Sequence, residues 1–392
     1  MEIPVSKVNS PSICTEPSGD SATVGKLSST RSKIPYLDGL RAYSILVVVL
    51  GHSFQPDTWL QRRWYLRTFV TDTGLGVRIF FVLSGFLITS LLLNERQRTG
   101  RISIRGFYER RIARIVPALY LYIATVAVLT AFGVMKVPLA SFWAAATFTV
   151  NISKVWSLHG PSIQVEVFGH LWTLSVEEQF YLLWPAILFF FGRHWPRRLA
   201  IASVVLFPFI RFAIYQYCLH KGIGLEFARA ILFRTVQDVL MWGVLGAFAA
   251  QAGIIDRMRT HRFRWTYPWI AALILFGLGG AIQTYPSMGL DNILLPTLQG
   301  MATLLLMFWL LSGEGGTLRQ ILDSWPVVQL GQLSYSLYIW QQIFIMGPGM
   351  KWLSFPLNLP FALAAAIISY RLVEVPMRNQ IRNWFSQPQA AH

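Results

Sequence analysis

Charge is scarce in this chain. Of its 392 residues only 13% are Asp, Glu, Lys or Arg, against 54% hydrophobic, and the mean hydropathy is +0.46. So little charge on so apolar a chain argues against a soluble domain and leaves the class of multi-span membrane proteins. Cysteine is rarer still: Cys14 sits in a polar tail and Cys218 in an apolar run. That pair offers no disulfide framework, and no metal-ligand spacing is present. The apolar core of a signal peptide is missing too. The first thirty-odd residues, rich in Ser, Thr and Pro, read as a disordered tail. There is also no internal repeat, and no pair of broken spans in matching halves, which weighs against a transporter.

The charge that is present is lopsided, 34 Lys and Arg against 18 Asp and Glu, a net +16. Such a balance can mark a nucleic-acid partner, but the placement excludes one here. The arginines collect in short loops between apolar runs, at 95–114, 193–198 and 253–265, while loop 285–291 has neither Lys nor Arg. This is the pattern of the positive-inside rule. Apolar runs near spanning length recur at roughly 36–55, 74–94, 115–134, 171–192, 199–219, 230–252, 266–284, 292–312, 327–347 and 357–374. The expectation is an all-α, polytopic membrane protein of about ten transmembrane helices with both termini cytoplasmic, which puts every strongly basic loop inside. Loop 55–73, with Arg62, Arg63 and Arg67, fits that scheme least well. The shorter apolar run 137–150 reads as re-entrant or interfacial. The domain plan is a tail at 1–33, a membrane domain at 34–380 and a short cytoplasmic tail at 381–392.

Ionisable residues inside membrane helices are costly and mark functional sites by default. Arg41 opens the first apolar run and His52 lies near its end, eleven residues on. Eleven helical steps of about 100° return to nearly the same direction with a rise of about 16 Å, so the two share a face. The cation is placed to hold an anion and the imidazole to move a proton; the plainer reading is a snorkelling Arg and a His satisfied by a neighbouring helix. In the second run, Gly76–Thr89, Arg78 accompanies Ser84 and Gly85, two small residues that read as a helix-packing pair. Arg111 and Arg114, three apart at the mouth of the third run, suit phosphate, or else only topology signalling and lipid headgroups. Glu177 and Glu178 lie side by side in His170–Pro185. Adjacent helical positions diverge by about 100°, so one is expected to meet a cation or His52 and the other a polar neighbour. Near the end, Arg371 and Glu374 are three apart and suited to pair with one another.

Taken together these segments resemble the acyltransferase-3 family of integral membrane O-acyltransferases. The likeness rests on Arg41-x10-His52 within Tyr-Leu-Asp-Gly-Leu-Arg-Ala, on Phe-Phe-Val-Leu-Ser-Gly-Phe-Leu-Ile-Thr, and on Arg111-x-x-Arg114. Trp-Thr-Leu-Ser-Val-Glu-Glu-Gln-Phe-Tyr, Tyr-Ser-Leu-Tyr-Ile-Trp and the late Glu-Val-Pro complete it, in order over about 36–376. The resemblance implies a ten-helix domain that takes acyl groups from acyl-CoA at the cytoplasmic face, with Arg41, His52, Arg111 and Arg114 important for activity. One departure is visible: Gln341 follows the Tyr-Ser-Leu-Tyr-Ile-Trp motif where many members carry His. Some relatives append a soluble esterase-like domain; none is expected here.

The resulting expectation is an O-acyltransferase, most simply an O-acetyltransferase, of the cytoplasmic (inner) membrane. Acetyl-CoA or another acyl-CoA is the donor and a hydroxyl of a cell-surface or exported glycan the acceptor. Membrane lipids surround the protein, and no cofactor is permanently bound. Arg111 and Arg114, with Arg78, hold the donor; His52 is the base, tuned by Glu178 or Glu177, with Arg41 on the same face. The rivals are a proton-coupled transporter or flippase, and an acyltransferase for a lipid or macrolide. In this geometry His52 and the two carboxylates share the outer membrane layer, and Arg41, Arg111 and Arg114 share the inner one. No Ser or Cys is visibly paired with a base in the sequence.

Overall fold

The computed structural model describes residues 36–53, 69–152, 167–222, 232, 237–278, 280–281, 290–313, 315–346 and 355–386. The expected disordered tail 1–33 and residues 55–68 of loop 55–73, with its three arginines, lie outside them. Among the described residues there is no strand. The helices in chain order are α1 (Leu37–Ser53), α2 (Thr73–Thr99), α3 (Ile104–Ala131), α4 (Leu139–Ala146), α5 (Trp172–Phe191), α6 (His194–His220), α7 (Gln237–Gln251) and α8 (Ile254–Thr260). They continue with α9 (Tyr267–Ala272), α10 (Leu295–Leu311), α11 (Gly316–Leu322), α12 (Trp325–Met346), α13 (Asn358–Ser369) and α14 (Val375–Ser386). The long apolar runs dictate this outcome, because in lipid a helix satisfies every backbone N–H and C=O within itself.

Helix occupies the described part of each apolar run, but spanning capacity is uneven. Among the described residues, five helical stretches are by themselves long and apolar enough to cross a bilayer: Thr73–Thr99, Ile104–Ala131, Gly169–Phe191, His194–His220 and Asn358–Ile381. Two bent pairs, α7 with α8 and α10 with α11, raise the number to seven. Among the described residues the expected ten is not reached on length and hydropathy. α1 has only 17 residues, and α12 spends Gln329, Gln332, Ser334, Ser336, Gln341 and Gln342 on polar positions. The run 137–150 yields α4, eight residues long, which rises about 12 Å and is less than half of a hydrocarbon core. At the other end α14 continues through Ser386, so the expected boundary at 380 falls inside a helix.

Small residues set the helix spacing. α2 lies against α7, and the two backbones meet at glycines: a Cβ on Gly85 would stand 2.1 Å from the Leu240 carbonyl oxygen, and one on Gly243 2.1 Å from that of Val82. Only hydrogen fits at either position, the membrane-helix use of small residues. α1 runs antiparallel to α2, with Gly51 against the backbone of Thr71 and Gly76 against Ser44. α5 runs parallel to α2, tied by Trp184 Nε1 to Thr89 Oγ1 at 2.9 Å. α3 runs antiparallel to α5, with Tyr122 Oη donating to the Val167 carbonyl at 2.7 Å and Tyr108 Oη to that of Leu182 at 2.6 Å. α12 closes the group by packing along α1 through Leu337, Tyr338 and Ile45. Farther away, Arg211 of α6 and Asp238 of α7 form a fully buried ion pair at 2.7 Å. The same guanidinium bonds the Ile293 carbonyl at 2.9 Å and Thr297 at 2.6 Å.

Candidate active site

Three helical faces supply polar residues to one place. Thr173, Glu177 and Tyr181 recur every four residues and so share one face of α5. Arg111 and Arg114 share a face of α3, and Ser334, Tyr335 and Tyr338 one of α12. These faces, together with Arg41 of α1 and Val77, Phe80, Phe81 and Ser84 of α2, line a single cavity. Its volume is about 90 Å³, and it is open rather than sealed. That is room for several water molecules at about 10–15 Å³ each, or for a small acyl group.

The polar contacts inside form a chain. Tyr181 Oη donates to Ser84 Oγ at 2.9 Å, and Ser84 Oγ donates to Glu177 Oε1 at 2.7 Å. The Arg111 guanidinium lies over the Tyr181 ring, 3.9 Å from its centroid, in cation–π contact. Arg41 holds Asp38 at 3.0 Å. The charges of Arg111, Arg114 and Arg41 all reach Glu177. On the far wall Tyr335 Oη donates to the Ile115 carbonyl at 2.7 Å, Tyr338 Oη to that of His170, and Thr173 meets Tyr338 at 2.5 Å. Three cations, one carboxylate and a bonded hydroxyl in a small, largely apolar chamber form a setting in which an anionic group is held and a proton moved. Among the described residues no three of His, Cys, Asp or Glu gather as a metal site.

Several sequence expectations meet here and several part company. Arg41, Arg111, Arg114 and Glu177 converge as one group. The separation of carboxylates from arginines into two layers does not hold. The reason is the length of α3, which begins at Ile104 rather than near 115 and carries Arg111 and Arg114 two to three turns up the helix to the level of Glu177. His52 does not line the cavity. It follows Gly51, whose Cα lies against Thr71 at the start of α2, whereas Arg41 and Ser84 each lie eleven residues from that end, about 16 Å away. The carboxylate meets arginines and Ser84, not the imidazole.

Glu178, the carboxylate preferred for His52, does not line the cavity, although the charges of Arg111 and Arg114 reach it, and its Oε1 is buried without a hydrogen-bond partner among the described residues. Its neighbour Gln179 pairs instead with Asn151 at 3.0 Å. Arg78 is likewise not a cavity residue: one helical position from Val77, it is buried and bonds Gln299 of α10. Arg371 is exposed, and Glu374 accepts from Ser336 at 2.5 Å and Ser369 at 3.3 Å rather than pairing with it. Ser84 was expected to pack helices; Gly85 does that, and Ser84 faces the cavity. The four-residue rhythm Thr173, Glu177, Tyr181 is the signal in the sequence from which the Tyr181 contribution could have been read.

Comparison with known proteins identifies the family. The family model described as an acyltransferase domain matches residues 34–372. The O-acetyltransferase OatA of Staphylococcus aureus is 27% identical over 368 residues, covering 88% of this chain and 57% of that protein. The peptidoglycan O-acetyltransferase OatA of Listeria monocytogenes is 33% identical over 168 residues, covering 41% of this chain and 25% of its own length. A putative O-acetyltransferase of Staphylococcus aureus is 37% identical over 164 residues, covering 40% of this chain and 24% of its own. The chain thus spans little more than half the length of the first of these relatives. No solved structure matches it. With the family model covering nearly all of the helical region that builds the cavity, this chain belongs to the acyltransferase-3 family.

Proposed function

We propose that the chain is a multi-pass O-acyltransferase of the cytoplasmic membrane, moving an acyl group, most simply acetyl, from acyl-CoA to a hydroxyl of a cell-surface or exported glycan. The observation that carries the reading is the convergence of Arg41, Arg111 and Arg114 on Glu177 in one cavity of a family-member chain. The arginines suit the anionic donor and the oxyanion that develops when a thioester carbonyl is attacked. Glu177 is the group placed to take a proton at the reacting centre, a role the sequence had assigned to His52. A ten-span course with both termini cytoplasmic fits the basic loops and gives the arginines access to cytoplasmic acyl-CoA. In that course His52 lies toward the outer end of α1, and we assign it to the acceptor side, where an imidazole can hold a sugar hydroxyl. The acceptor class is supported by the relatives, one of which is a peptidoglycan O-acetyltransferase.

The test is donor dependence. In detergent-solubilised full-chain protein, Arg111→Ala and Arg114→Ala should each raise the apparent KM for acetyl-CoA. Charge-assisted hydrogen bonds to phosphate contribute roughly 1.5–3 kcal/mol, which is roughly 10–150-fold. Added salt should reproduce part of the effect. Acetyl transfer indifferent to both arginines and to salt would refute the donor-site assignment, and absence of any acetyl transfer from acetyl-CoA would refute the acyltransferase reading itself.

A further inference from the structure

We propose that Ser84 is the nucleophile of a two-step transfer, carrying the acyl group as a seryl ester between donor and acceptor. The inference deepens the acyltransferase reading above and rests on it. Its basis is the hydrogen-bond pattern of the hydroxyls around the cavity. Tyr335 and Tyr338 direct their protons to the backbone carbonyls of Ile115 and His170, which are not bases. Ser84 is the cavity hydroxyl that donates to a carboxylate, Glu177, at 2.7 Å. A serine becomes a competent nucleophile when a base within hydrogen-bond reach accepts its proton, and this pair meets that requirement. Tyr181, donating to Ser84 Oγ at 2.9 Å, fixes the orientation of the hydroxyl.

Position favours the same residue. Ser84 is next to Gly85, where α2 is pinned to the backbone of α7, so its Cα cannot drift. Arg41, Arg111 and Arg114 line the same chamber and can balance a tetrahedral oxyanion. The volume of about 90 Å³ suits a small acyl group on the serine after the bulky thiol has left.

The steps balance without a further reactant. Ser84 Oγ attacks the thioester carbonyl of acyl-CoA as Glu177 takes its proton. The tetrahedral intermediate collapses, the C–S bond breaks, and the thiolate leaves with that proton from Glu177. An acceptor hydroxyl then attacks the seryl ester, giving its proton to Glu177. The ester C–O bond breaks, and Ser84 regains the proton. Two half-reactions at one serine let donor and acceptor use the cavity in turn.

The experiment is trapping. Solubilised full-chain protein is incubated with radiolabelled acetyl-CoA without acceptor, quenched in acid, digested and analysed by mass spectrometry. The expected result is one acetyl group on the peptide holding Ser84, released when a hydroxyl acceptor is added before the quench. Ser84→Ala should lose the label and on the order of 10³–10⁶-fold in turnover. Ser84→Cys guards against a folding defect in the alanine variant: it should carry a thioester that neutral hydroxylamine cleaves, whereas the serine ester resists. Label on another residue, or turnover by Ser84→Ala near that of the parent, overturns the proposal. So does full turnover in the parent protein with no acyl-enzyme trapped, and this leaves the acyltransferase reading intact. A protein that transfers no acetyl to any hydroxyl overturns both.

Discussion

Replacing Gly243 with alanine tests how the fold sets the site, from a residue outside the cavity. Gly243 lies on α7, and its added methyl would stand 2.1 Å from the Val82 carbonyl oxygen and 2.6 Å from the Phe86 nitrogen. The first distance is about 1.3 Å short of the 3.4 Å at which ordinary contact begins, and both neighbours are backbone atoms of α2, so no side chain can turn aside. The helix itself has to move. Val82 and Ser84 are two positions apart, on nearly opposite sides of α2. A push on Val82 from α7 therefore drives Ser84 into the cavity and out of register with Glu177, disturbing their 2.7 Å bond.

Overpacking of this kind costs about 1–3 kcal/mol, and misplacement of reacting groups by about 1 Å costs on the order of 10²-fold in rate. Gly243→Ala is expected to lower the unfolding midpoint in detergent and to cut acetyl turnover by about that factor, with a smaller change in the KM for acetyl-CoA. Unfolding is followed by tryptophan fluorescence and turnover by transfer of radiolabelled acetyl. A variant with the parent's midpoint and turnover would refute the claim that the α2–α7 backbone contact positions Ser84.

Two further perturbations separate regions of the molecule. His52→Ala should raise the KM for the glycan acceptor by roughly 5–150-fold, the loss of one hydrogen bond of about 1–3 kcal/mol, while leaving the KM for acetyl-CoA unchanged; a donor-side effect would return His52 to the cavity chemistry. Asp238→Asn leaves the fully buried Arg211 without its counter-charge and should destabilise the protein by about 3–5 kcal/mol, read as a lower unfolding midpoint or loss from the membrane. An unchanged midpoint would mean that Thr297 and the Ile293 carbonyl suffice for the guanidinium.

The sequence alone determines the class, the helical content and the roster of costly residues. Apolar runs of spanning length need internally satisfied backbone, so helix was legible from composition and run length. Arg41 and Glu177 stood out because a charge within such a run demands a partner, and Arg111 and Arg114 because two guanidinium groups share one helix face at the mouth of a run. Tertiary structure alone decides who the partners are. The helical period told that Glu177 and Glu178 face apart, but not which neighbour each meets, since that depends on how far α3 extends below its apolar run and on the vertical register of α1, α2 and α5. The early start of α3 at Ile104 carries its arginines up to Glu177, and the antiparallel register of α1 on α2 leaves His52 a full eleven residues from them. Ser84 and Glu177, 93 positions apart in the chain, meet only because α2 and α5 lie parallel at the depth where Trp184 bonds Thr89. Hydropathy carries no information about relative depth, since every apolar position along a span is equally at home in lipid; side-chain packing sets it, and with it the chemistry of the cavity.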